Sequence, residues 1–428
     1  MYLKKGLSLT LFLFGFVILL YSLYKSEVYF LGANRSYYLT YYLISLFFFV
    51  LTFINFFISW KIRLYFIIIF ISSLFSFYSI ELFLNLDPIK FKSRQYKKET
   101  GKSYDLRNKF EIYSDLKQID DSVVVFNNIK NKEIQSFSGI SNSKTIHCNE
   151  NGYYSSYISD KYGFNNPAYD WQKDFFNYVL IGDSHIHGAC VNRPFDISSI
   201  LRNISNTNTL NLGIQNTGPL NQFAILKEYL PKNFKNLIWV YYPNDNEDLI
   251  REIKDNRLKR YLINKNFNQD LINKQKKIDY LILEKINQQF LMKKNNKLDK
   301  IIDIIKLTKT RNSLFYTFFI TKKLPPMQKE FFMILDEVQK IIDKNDAKLF
   351  FVILPTYSQV KFQNKEINKD IKMFKKKILK QNITIIDTKE LIFDKEENPI
   401  KFYPFKKPGH LNVKGNQAVA ELIYKLTK

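Results

Sequence analysis

The chain has 428 residues, with 64 Lys plus Arg against 40 Asp plus Glu and a formal net charge of +24, a length that admits a membrane region with one large domain or two ordinary ones. The lysines are spread among Asn and Ile rather than gathered in one block, a compositional bias compatible with anionic lipid heads or acidic polysaccharide. No zinc spacing, RNA-binding signature or helix-turn-helix pattern accompanies the charge, so no nucleic-acid partner is expected.

The first elements in chain order are apolar. Leu7 to Tyr24 (LSLTLFLFGFVILLYSLY), Leu39 to Trp60 (LTYYLISLFFFVLTFINFFISW) and Leu64 to Leu84 (LYFIIIFISSLFSFYSIELFL) each have the apolarity and length, about 20 residues, of a membrane-spanning helix. Residues 1–88 therefore read as a membrane region with three transmembrane helices. Lys4 and Lys5 ahead of an apolar run would also suit a signal peptide, but YSLYKSE offers no pair of small residues for cleavage and two further spans follow. Glu81, near the end of the third span, is expected at the membrane interface.

Orientation draws on two signals. Lys4, Lys5, Lys61 and Arg63 would share one side, and Lys25, Arg35 and KFKSRQYKK (Lys90 to Lys98) the other. The charge count favours a cytoplasmic domain. The lysine pair before the first helix, with an odd number of spans, favours an extracytoplasmic domain held in the inner or plasma membrane, and this is the expectation. The two cysteines, Cys148 and Cys190, would then be a disulfide candidate.

Residues 89–174 read as a linker and approach segment. Beyond them the pattern alternates. Apolar runs recur at NYVLIG (177–182), TLNLG (209–213), NLIWVYY (236–242), AKLFFVILP (347–355) and ITIID (383–387), with helical patterns between most of them. Short, nearly continuous apolar strands alternating with helices imply an α/β fold whose parallel sheet is covered on both faces. Ligands then sit outside the carboxyl ends of the strands.

The chemistry-bearing residues fall at those ends. In NYVLIGDSHIHGACV, Gly182 lets the chain turn and Ser184 stands where a strand passes into a helix, positioned as a nucleophile or, more plainly, as part of a helix cap. NLGIQNTGP follows the second strand, with Gly213 and Gly218 in a loop that a ligand can approach. YYPNDNEDL follows the third and presents Asn244, whose amide could donate to an oxyanion. PGHLNVKGNQAVAELI brings His410, a general-base candidate, just ahead of the last helix. Serine, a glycine N–H, an amide donor and histidine are the set that acyl transfer needs.

This ordered series, Ser184 in GDSH, Gly213 in NLG, Asn244 in PND and His410 in GHLN, resembles the SGNH/GDSL hydrolase family over residues 175–428. The resemblance implies a flavodoxin-like doubly wound parallel sheet and a serine nucleophile, with an oxyanion hole built from the Ser184 and Gly213 N–H groups and the Asn244 side chain. CNENGYYSSYISDKYGFNNP (148–167) is similar to the approach segment of membrane-anchored members. The family commonly carries Asp three residues before the catalytic His, and Lys407 stands there instead. Asp387 and Asp394 are the nearest upstream carboxylates, so a Ser-His dyad is expected, with His410 oriented by a backbone carbonyl of the Phe405–Pro408 turn. His185 and His187 read as walls of the cleft, His147 as structural and Asp183 as a turn and helix-start residue. No metal or other cofactor is expected, because further ligands cannot be assembled around the histidines.

An insertion of about 247–345 carries two lysine-faced helical segments, IDYLILEKINQQFLMKK and KIIDIIKLTKTRNSLFYTFF, read as an excursion packed on the core or as a cap over the cleft. The expected function is a membrane-anchored serine esterase removing O-acyl groups from a carbohydrate or lipid-linked substrate. The alternatives are an O-acyltransferase modifying a cell-surface polysaccharide with the same site, or a non-catalytic carbohydrate-binding membrane protein.

Overall fold

The computed structural model describes residues 2–29, 35–55, 57–292, 296–311, 313, 324, 326–381 and 383–428. The chain divides into two compact units: Met1–Leu84 with Lys306–Thr310, and Asn85–Ile305 with Arg311–Lys428.

The first unit is built on α1 (Tyr2–Leu23), α2 (Arg35–Asn55) and α3 (Trp60–Thr100) as far as Leu84. Leu9–Val28, Tyr38–Asn55 and Trp60–Asn85 are long and apolar enough to cross a membrane. Large apolar side chains such as Leu46, Phe47, Ile69 and Phe75 point outward, as suits a lipid-facing surface. Where α1 meets α2, Gly15 leaves room for Phe48, whose Cβ would lie 3.1 Å from an added Cβ, and Ser45 Oγ donates to the Gly15 carbonyl at 2.7 Å. A small residue and an interhelical hydroxyl bond are the usual means of close packing in lipid. Glu81 stands near the end of the third span. It is fully buried, and its carboxylate accepts the backbone N–H groups of Lys309 and Thr310 at 3.1 and 2.7 Å, because a carboxylate inside an apolar element must find donors.

The second unit is centred on a five-stranded sheet formed by β4 (Phe176–Ile181), β5 (Thr209–Asn211), β6 (Phe234–Tyr241), β7 (Lys348–Ile353) and β8 (Thr384–Asp387), in the spatial order β5-β4-β6-β7-β8. Every pairing is parallel, and each strand overlaps an apolar run read from the sequence. Successive side chains of a strand point to opposite faces, and two separate cores result. Val179, Ile181, Leu237, Trp239, Tyr241 and Phe351 pack into one; Leu180, Ile238, Val240 and Val352 pack into the other. Burial on both faces is why these strands read as continuous apolar runs rather than as alternation.

Residues 89–174, expected as a linker and approach, are folded into this unit. They carry β1 (Val123–Val125), β2 (Lys144–Ile146) and β3 (Ser156–Ile158), with β1 parallel and β3 antiparallel to β2. Val123, Val124 and Val125 share the first core. In the insertion, the helix Gln275–Met292 adds Ile278, Ile282 and Ile286, four residues apart, to the same core, so this segment is an excursion packed on the domain. The later helical segment is described over Asn296–Ile305; its residues 312 and 314–319 lie outside the described residues.

Candidate active site

Ser184 opens a four-residue helix, Ser184–His187, directly after β4. Because β5 and β6 flank β4 on opposite sides, this is the point where the strand order reverses, the place where open α/β sheets present ligand sites. Asp183 caps the helix by accepting the His185 N–H at 3.0 Å, in keeping with its reading as a helix-start residue. Burial pushes its carboxyl upward.

His410 meets Ser184. Its Nε2 lies 2.9 Å from Ser184 Oγ, and its Nδ1 lies 3.0 Å from Glu150 Oε1. The other Glu150 oxygen accepts the His410 backbone N–H at 2.7 Å. The dyad expectation is corrected here: a carboxylate, not a carbonyl of the 405–408 turn, holds the imidazole. Gly409 makes the approach possible, since a Cβ there would lie 2.6 Å from Glu150 Oε2. The other candidate acids are elsewhere. Asp387 takes Lys375 at 2.7 Å and Asp394 takes Lys389 at 2.6 Å.

With Nδ1 donating to Glu150, the neutral ring leaves Nε2 as acceptor for the serine proton. Burial disfavours the imidazolium, but the bond to Glu150 and the charges of Glu150 and Asp183 outweigh it and raise the His410 pKa above the usual histidine value. Burial likewise opposes the charged form of Glu150, yet His410 wins and holds its pKa below the usual carboxylate range. Both shifts favour the ion pair that a general base forms when it takes a proton.

Glu150 lies two residues after Cys148, which is joined to Cys190 by a disulfide, six positions past Ser184. Asn151 Nδ2 also donates to the Cys190 carbonyl at 2.9 Å. The carboxylate is therefore stapled to the loop behind the nucleophile. Cys148→Ser with Cys190→Ser releases a loop of sequence separation 42 and should cost about 4 kcal/mol of stability on the chain-entropy account. A displacement of about 1 Å of the carboxylate should lower kcat by as much as about 10². Thermal unfolding and steady-state kinetics check this; an unchanged kcat would contradict the positioning role.

Gly213 is a second correction. Its N–H donates to Asn211 Oδ1 at 2.8 Å and so is turned away from an oxyanion. The glycine is needed for close packing, because a Cβ would lie 2.4 Å from Ile186 Cγ2. The Ser184 N–H makes no hydrogen bond among the described residues. Asn244 is exposed at the start of the helix Asp245–Glu252, and its amide donates to Asp248 Oδ2 at 3.2 Å, leaving a second N–H on the same nitrogen.

The remaining histidines are buried. The His185 ring lies 5.1 Å from the His410 ring and 4.8 Å from Tyr242, and burial holds its pKa well below the ordinary value, with the His410 charge adding. His187 Nε2 bonds the Tyr157 hydroxyl at 2.7 Å while its Nδ1 accepts the Gln215 N–H at 3.2 Å. His147 Nε2 bonds Gln215 Oε1 at 2.7 Å, and burial pushes its pKa down to about 4. These two rings fix the loop after β5. Glu150, Cys190 and His410 have metal-ligand spacing, but the Cys190 sulfur is bonded to Cys148 and the other two hold each other.

No family model matches the chain, and no curated protein matches it. Among solved structures it is similar to a protein from Desulfitobacterium hafniense described as lipolytic and of the G-D-S-L family, with 11% identity, a TM-score of 0.33, and coverage of 59% of this chain and 99% of that one.

Proposed function

We propose that the chain is a membrane-anchored serine esterase of the SGNH type, acting on O-acyl esters of a carbohydrate or lipid-linked substrate. The observation that carries this is the unbroken line of hydrogen bonds from Glu150 through His410 to Ser184 at the carboxyl end of β4. The sheet order, counted along the chain as 2-1-3-4-5, supports a flavodoxin-like arrangement. The Cys148–Cys190 bond supports a domain facing an oxidising, extracytoplasmic compartment.

In this mechanism Ser184 Oγ attacks the acyl carbonyl while His410 Nε2 takes its proton, and Glu150 stabilises the imidazolium. The tetrahedral oxyanion is held by the Ser184 N–H and the Asn244 amide. The alkoxide leaves with the proton from His410, giving an acyl-enzyme. Water, deprotonated by His410, then attacks the acyl carbon; the acid departs and Ser184 recovers its proton.

Purified full-length protein should hydrolyse p-nitrophenyl acetate, and Asn244→Ala should lower kcat by roughly 10² to 10³ with little change in KM. Absence of turnover across acetyl and longer acyl esters would overturn the reading; a change in KM alone would remove Asn244 from the oxyanion hole.

A further inference from the structure

A cleft of about 520 Å³ is walled by sequence neighbours of Glu150 and His410, and its volume is within the roughly 300–1,000 Å³ typical of ligand sites. Asn151, the residue after Glu150, forms one wall, and Lys406 and Asn412, either side of His410, form another; Tyr96, near the end of α3, closes it.

Three features of the cleft call for a ligand. Tyr96 has a largely buried ring and lines the cleft, and its hydroxyl makes no hydrogen bond among the described residues, which leaves it open to a ligand. The charges are one-sided. Lys401, Lys406 and Lys414 line the cleft against Glu99 alone, and Glu99 is engaged by Gln95 Nε2 at 2.8 Å. Lys401 pairs with Glu396, while Lys406 and Lys414 have no carboxylate at ion-pair distance among the described residues. The wall is also aromatic. Phe405 and Lys406 both hold left-handed backbone, φ 52° and 55°, which is uncommon for residues other than glycine. That turn sets the Phe405 ring 6.3 Å from Tyr96.

Unpaired ammonium groups select an anion. A phosphate or carboxylate alone would need no aromatic wall, and an acyl chain would need no lysines. Flat aromatic faces with phenol groups at their edges suit the C–H faces and hydroxyls of a sugar ring. We propose that the cleft binds an anionic saccharide, bearing carboxylate or phosphate, as the part of the substrate adjoining the ester presented to Ser184. The final clause rests on the esterase reading; the binding does not.

The test uses detergent-solubilised full-length Ser184→Ala protein, so that binding is measured without turnover. Its affinity is compared for oligogalacturonate, a phosphomannan oligosaccharide, neutral maltohexaose and phosphatidylglycerol vesicles. Preference for either charged saccharide over maltohexaose and vesicles is expected. Lys406→Gln with Lys414→Gln should weaken that binding by about tenfold or more, and Tyr96→Phe should weaken it less. The lysine variant should keep the parent's far-UV circular dichroism and thermal unfolding midpoint, which checks its folding independently of binding. Equal affinity for maltohexaose, preference for vesicles, or binding indifferent to the lysines would overturn the proposal. Charged-saccharide binding without ester turnover by the parent protein would sink the esterase reading and leave the cleft standing.

Discussion

Glu150→Gln should lower kcat/KM by about 10⁴, or roughly 5.4 kcal/mol of barrier. The amide is close in shape, and its oxygen can still accept from His410, so the loop should keep its place. The negative charge that stabilises the imidazolium is lost, and the amide nitrogen can instead present a donor to Nδ1, favouring the wrong tautomer. The pH profile gives an independent sign. His410 must be neutral to act as base, so activity rises as pH passes upward through its pKa. That pKa is raised chiefly by Glu150 against the opposing effect of burial. Removing the carboxylate therefore lowers it, and the acid limb of the rate profile should move to lower pH. A structural role alone would lower the rate without moving the limb in that direction; a loss of less than tenfold would return His410 to a dyad.

His410→Ala should cost about 10⁶ in kcat, the scale seen when a member acting as a unit with its neighbours is removed. Among the described residues the other acceptor bonded to Ser184 Oγ is Asp183 Oδ2, at a longer 3.4 Å. His185 is adjacent in sequence but buried, with its pKa held well below the ordinary value, and Asp183 caps the helix through the His185 N–H. Because Glu150 acts only through His410, the double variant Glu150→Gln with His410→Ala should be no slower than His410→Ala. Additive losses in kcat would show that Glu150 has a separate catalytic task.

The strands were legible because burial on both faces leaves a continuous apolar run, Ser184 because it sits where such a run ends, and His410 because it stands just ahead of the last helix. Glu150 was not, since it is separated by 260 positions from His410 and no local spacing links them. The usable signal was the pair of cysteines: if Cys148 joins Cys190, the only carboxylate close to Cys148 must lie near Ser184. Gly213 was legible as a special position but for the wrong reason, because sequence does not distinguish a glycine that exposes its N–H from one that admits Ile186. The helix of the third span outlasts its apolar run, which ends at Asn85, before Pro88. The helix runs through it to Thr100, carried by Lys, Arg and Gln, which are good helix formers, and stops before Gly101 at φ +72°, a residue suited to a helix C-terminus.

The central claim is that Ser184 forms an acyl-enzyme, and covalent labelling tests it most directly. Full-length protein treated with a fluorophosphonate probe and analysed by peptide mass spectrometry should carry the adduct on Ser184, with Ser184→Ala unlabelled and His410→Ala labelled far more slowly. Equal labelling of the parent and Ser184→Ala proteins, or an adduct on another residue, would contradict it.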